Sequence, residues 1–111
     1  MTTLSVSIRE RKAAVPPGES MTVAVTGELD IATAPRFSAR LGELLRRGYP
    51  RELIIDLSGL SFIDASGLRA LTDLRSRVEQ QQSVLVLEGV PAQMRRVIQL
   101  IGPARRFRIR S

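Results

Sequence analysis

The sequence predicts one α/β domain: a mixed, mostly parallel sheet of four to five strands with helices packed on it. Three observations carry this expectation. Short apolar runs alternate with longer segments of helical period, the order of a parallel sheet with right-handed crossovers. Two of the runs, residues 53–57 and 84–87, are almost wholly apolar, as interior strands covered on both faces are. The length, 111 residues, suits a single domain that buries about 60–70% of its unfolded surface without staples.

Taken in order, residues 4–8 alternate apolar and polar (Leu4, Val6, Ile8), the period of a half-buried strand. Residues 9–12 read as a charged exit. Pro16, Pro17 and Gly18 mark a turn. Met21, Val23 and Val25 alternate again and predict a second strand, antiparallel to the first. Gly27-Glu28-Leu29-Asp30 closes it. Thr33 before Ala34-Pro35 predicts an N-cap with proline in the first turn. The helix that follows sets Phe37, Leu41, Leu44 and Leu45 on one face, with Arg36, Arg40, Glu43 and Arg47 off it. Gly48 is the expected stop.

Residues 52–57 form the third predicted strand. After Phe62 and Ile63 comes Asp64-Ala65-Ser66-Gly67, then a helix expected to run to about Gln81 with Leu68, Leu71, Leu74 and Val78 inward. Residues 83–87 are the next strand. A third helix opens at Gly89-Val90-Pro91, turns Met94, Val97, Ile98 and Ile101 to one side, and stops at Gly102-Pro103. Residues 107–110 predict a short final edge strand whose charges suit an edge.

Composition narrows the chemistry. There is no cysteine and no histidine, which removes disulfides, the usual zinc sites and nucleophile–histidine dyads. No metal and no cofactor is expected. No apolar window reaches 18 residues and no leader pattern opens the chain, so the expected location is cytoplasmic, with no membrane contact. The net charge is +6, and after Glu88 the only charges are arginines: Arg95, Arg96, Arg105, Arg106, Arg108 and Arg110. Such a tail suits nucleic acid, anionic lipid or an acidic protein face. Only Phe107 lies among these arginines, too little for base stacking. Solvated arginine faces are the plainer reading, and no direct nucleic-acid partner is expected.

The turn around Ser66 is the candidate site, because strand-to-helix turns of open α/β sheets usually carry function. Ser66 is read as the N-cap, with its oxygen facing the first-turn amides. Gly67 is read as leaving room for another protein's backbone. A phosphate on Ser66 would add about −1.5 to −2 charges and would be tolerated at a helix start. In an interface near the carboxylates of Asp30 and Asp64 it would oppose docking. A penalty of about 3 kcal/mol weakens binding more than 100-fold. An ordinary cap is the plainer reading of the same serine. A serine hydrolase lacks both a histidine base and Gly-x-Ser-x-Gly.

At these residues the chain resembles the STAS domain family, the bacterial anti-sigma-factor antagonists. The likeness rests on Gly27-Glu28-Leu29-Asp30 with Thr33-Ala34, on Asp56-Leu57-Ser58-Gly59, and on Phe62-Ile63-Asp64-Ala65-Ser66-Gly67-Leu68. It implies a single STAS domain over residues 1–111, although the family's usual helix after the last strand is missing from this sequence. It implies a partner switch and no enzymatic activity. The unphosphorylated antagonist binds an anti-sigma factor, itself a serine kinase, and so frees the sigma factor. Phosphorylation of Ser66 breaks the complex, and a metal-dependent serine phosphatase resets it. Asp30, Asp64, Ala65, Gly67, Leu68 and Arg69 become the expected partner-binding residues, in a monomer or weak homodimer. Family members often carry serine or threonine where this chain has Ala65, which leaves Ser66 as the single hydroxyl of that pair.

Three other readings remain. A STAS module can serve as accessory subunit of a transporter or scaffold. Asp30, Asp64 and Ser66 would be the groups of a small nucleotide-binding protein or weak hydrolase. The arginine tail would be the surface of a nucleic-acid binder.

Overall fold

The apolar alternation of residues 20–29 builds a strand long enough to take neighbours on both sides, and the sheet grows outward from it. The computed structural model describes residues 6–11, 19–100 and 107–110. Its elements are β1 (Val6–Arg11), β2 (Ser20–Leu29), α1 (Ala34–Leu44), β3 (Glu52–Asp56), β4 (Leu60–Ile63), α2 (Ala65–Gln80), β5 (Val84–Glu88), α3 (Ala92–Leu100) and β6 (Arg108–Arg110). The sheet runs β1-β2-β3-β5-β6, with β4 also paired to β2. Only β1–β2 is antiparallel among these pairings.

The inward faces follow the pleat. Val23, Val25, Leu53, Ile55, Leu85 and Leu87 join one buried cluster with Phe37 and Leu41 of α1, Leu71 and Val78 of α2, and Met94 and Ile98 of α3. Side chains alternate along a strand, so Ile54 and Val86 point to the opposite face. They too are buried. On that face Arg110 reaches 3.2 Å from Glu88 and 3.7 Å from Glu52. Interior strands are thus shielded from solvent on both faces, which is why β3 and β5 read as continuous apolar runs.

The sheet has six strands, one more than the sequence predicts, because β4 is a strand. It lies beside the end of β2, beyond β3, with pairs Gly27↔Leu60, Glu28↔Phe62 and Leu29↔Ile63. Ser61 is the extra residue of this bulge, and its Oγ donates to Gly27 O at 3.0 Å. Gly27 has φ of 97°, a conformation that favours glycine.

Other boundaries move as well. β1 reaches Arg11, so Arg9 belongs to the strand; Leu4 lies outside the described residues. Thr33 is the N-cap of α1 by position, but its side chain makes no cap bond. α1 ends at Leu44, and Gly48, with φ of 136°, follows a further turn. Val97, expected inward, is 39% exposed. Met94 and Ile98, four apart, hold the centre of the buried stripe and leave Val97 at its margin. The predicted contact of Ile101 and the stop at Gly102-Pro103 fall outside the described residues. No helix among those residues is long and apolar enough to cross a membrane.

Candidate partner-docking site

Two strand-to-helix turns meet at the ends of β2 and β4. The first, residues 30–33, is closed on itself. Asp30 Oδ1 accepts from the amides of Ala32 (2.9 Å) and Thr33 (3.0 Å). The Asp30 amide donates to Thr33 Oγ1 at 2.9 Å. Thr33 Oγ1 lies 2.7 Å from Glu28 O and 3.2 Å from Asp30 Oδ1. It has one proton to give, and the shorter contact takes it. Asp30 and Thr33 are each 4% exposed, so the carboxylate of Asp30 serves its own loop and presents no surface.

The second turn is built by Asp64. Its amide donates to Leu29 O at 3.2 Å, which ends the pairing of β4 with β2. Its Oδ1 accepts from the Gly67 amide at 3.0 Å, which makes Asp64, not Ser66, the N-cap of α2. The expectation that Ser66 caps the helix is therefore corrected. Ser66 is the second residue inside α2, where its own amide belongs to the first turn. The other Asp64 oxygen, Oδ2, accepts from the Ile31 amide at 3.3 Å and ties the two turns together. Asp30 and Asp64 are thus linked through backbone amides, each carboxylate having its own donors.

Ser66 is half-buried. Its hydroxyl makes no hydrogen bond to another described residue. Around it, Ala65 and Arg69 are exposed, and two large apolar side chains face outward: Ile31, 74% exposed, and Phe62, 47% exposed. Leu68 is 4% exposed and belongs to the core. Gly67 is buried too, and the neighbour that requires a glycine is internal. A side chain there would overlap the Leu29 carbonyl oxygen and come within 2.8 Å of Ile63 Cγ1. The room that Gly67 leaves is filled by this chain's own β2, not by another protein.

Ile31 and Phe62 were not singled out from the sequence as surface residues. One signal was present: Ile31 is a large apolar residue inside a turn of small and polar ones. Among the described residues, no group of three or more His, Cys, Asp or Glu side chains converges as a metal site would.

This arrangement can be set beside known proteins. A family model described as "Mlab, STAS domain" matches residues 14–109. The chain belongs to the STAS domain family. This STAS domain is 30% identical over 99 residues to the anti-sigma-B factor antagonist of Listeria monocytogenes, covering 89% of this chain and 82% of that protein. It is 33% identical over 92 residues to the anti-sigma-F factor antagonist RsfB of Mycobacterium tuberculosis, covering 80% and 71%. Among solved structures it is similar to an anti-sigma factor antagonist from Mycobacterium paratuberculosis, with a TM-score of 0.78 at 26% identity, covering 95% of this chain and 85% of that one. The STAS fold places the two joined turns at one end of the sheet, with Ser66 on the first turn of α2.

Proposed function

We propose that this STAS domain is an anti-sigma-factor antagonist controlled by phosphorylation of Ser66. The observation that carries the reading is the spare hydroxyl: Asp64 caps α2, so a modified Ser66 loses no bond of the fold. The similarity to proteins named anti-sigma-B and anti-sigma-F factor antagonists supports it.

In this reading the unmodified protein docks on an anti-sigma factor through Ile31, Phe62, Ala65 and Arg69, and the sigma factor is released. Asp30, Asp64, Gly67 and Leu68 hold that surface in shape from beneath. The anti-sigma factor is also the serine kinase and transfers a phosphoryl group from ATP to Ser66 Oγ. About −1.5 to −2 charges then enter the middle of the interface, beside the Asp64 carboxylate and against apolar surface. Repulsion and desolvation of about 3 kcal/mol weaken the complex more than 100-fold. A serine phosphatase removes the phosphate and restores binding. The chain itself supplies a surface and an acceptor hydroxyl, and no catalytic group. Its setting in the reading is the cytoplasm, where sigma factors act.

The test is intact-mass analysis and peptide mapping after incubation with ATP and a candidate anti-sigma kinase. One added phosphate is expected, absent from Ser66→Ala. Ser66→Asp is expected to fold normally and to bind the kinase partner about 100-fold more weakly. Native-strength binding by Ser66→Asp, or a phosphate mapped elsewhere, would overturn the reading and favour the transporter-accessory role.

A further inference from the structure

Arg69 opens the second turn of α2, three residues after Ser66, and is exposed. Residues three apart on a helix are neighbours, with Cβ atoms about 5–6 Å apart. Helical side chains lean toward the N-terminus and cover the turn before their own Cα. For Arg69 that turn is the one carrying Ser66. Leu68 and Ala70 on either side are buried, so the guanidinium stays on the outer face. It makes no ion pair with a described residue. Asp73, four residues on, is the natural competitor, yet it lines the seam between α1 and α2 with Ser38 and Arg77.

We propose that Arg69 is the charge partner of phosphorylated Ser66, holding the phosphate in an i, i+3 pair and leaving the docking face when it does so. The proposal rests on Ser66 being the phosphoacceptor. A guanidinium offers two parallel N–H groups that match phosphate oxygens, a stronger pairing than a point charge makes. The other charged groups on the elements that meet here are Asp64 two residues before Ser66, Asp30 in the adjoining turn, Asp73 two turns further along α2, and Arg36 in the first turn of α1. The three carboxylates repel a phosphate. Arg69 is the cation at i+3 on the same helix face, leaning back over the turn that carries Ser66. One modification therefore changes the surface twice: it adds negative charge and it neutralises an arginine that an acidic group of the partner would use.

Phosphoserine incorporated genetically at position 66 tests this without any kinase. The phosphate's second pKa, about 6 for an unperturbed phosphoserine, is read by 31P NMR titration in the otherwise native protein and in Arg69→Gln. The expected result is a value lower by about 0.3 unit or more with Arg69 present. The carboxylates are the same in both proteins, so the difference isolates the arginine. Arg69→Gln is a change at an exposed helical position to another good helix former, and is expected to fold. Equal pKa values in the two proteins would overturn the pair and leave the kinase result untouched. A pair seen by NMR with no kinase able to modify Ser66 would strike the antagonist reading instead.

Discussion

The two turns at the end of the sheet start from the same ingredients and spend them differently. Each begins with an aspartate at the end of a strand and has a hydroxyl residue further along. In the first turn the aspartate, the threonine and the amides of residues 30, 32 and 33 are all bonded within the loop, and both side chains are buried. In the second, Asp64 alone does the work: one oxygen caps α2 and the other holds the amide of Ile31. Ser66 is left over. A residue that is to be modified reversibly has to be spare, because a hydroxyl already serving the fold would lose its bonds on taking up a phosphate. The first turn is bonded within itself; the second carries the hydroxyl that the proposed switch would modify.

The sharpest way to break this contrast is Asp30→Ala. It takes from the amides of Ala32 and Thr33 the carboxylate oxygen that accepts from both, which costs about 2 kcal/mol, or about 10 °C in Tm for a domain of this size. Urea denaturation measures it. A loss under 0.5 kcal/mol would mean that the first turn is not held from within.

Asp64→Ala comes next, at about 1 kcal/mol for the lost cap. Its signature is local. Hydrogen exchange is expected to quicken at the amides of Ile31 and Gly67 and to stay unchanged at Ala32 and Thr33. Quickening at all four would show that the two turns open together and that the first is not independent of the second.

The sequence made the framework of this region legible and misassigned its parts. β3 and β5 were readable because burial on both faces leaves a continuous apolar run. β4 was not, because it is four residues long and only Leu60 is fully buried, so no period can emerge. Its absence from the reading also hid the cap. Asp-Ala-Ser-Gly offers two good capping residues, and chemistry alone does not choose between them. The choice is made by where β4 stops pairing: the Asp64 amide bonds to Leu29 O, and from there its carboxylate reaches the Gly67 amide. Gly67 looks like open room in the sequence for the same reason. Without β4 paired to β2, nothing places the Leu29 carbonyl against it.

Ser66→Ala gives the smallest expected effect on stability and decides most about the comparison. Were Ser66 the cap, its loss would cost about 1 kcal/mol. With Asp64 as the cap and the Ser66 hydroxyl bonded to no described residue, the change is expected to stay within about 0.5 kcal/mol. Alanine is also the better helix former, by a few tenths of a kcal/mol, so a slight gain is as consistent as no change. Paired urea curves of Ser66→Ala and Asp64→Ala under one buffer resolve the two cases. A cost at Ser66 equal to that at Asp64 would mean the hydroxyl is shared with the backbone of the first turn. Phosphorylation would then have to break a bond of the helix, and the switch would act by fraying α2 rather than by charge at an intact surface.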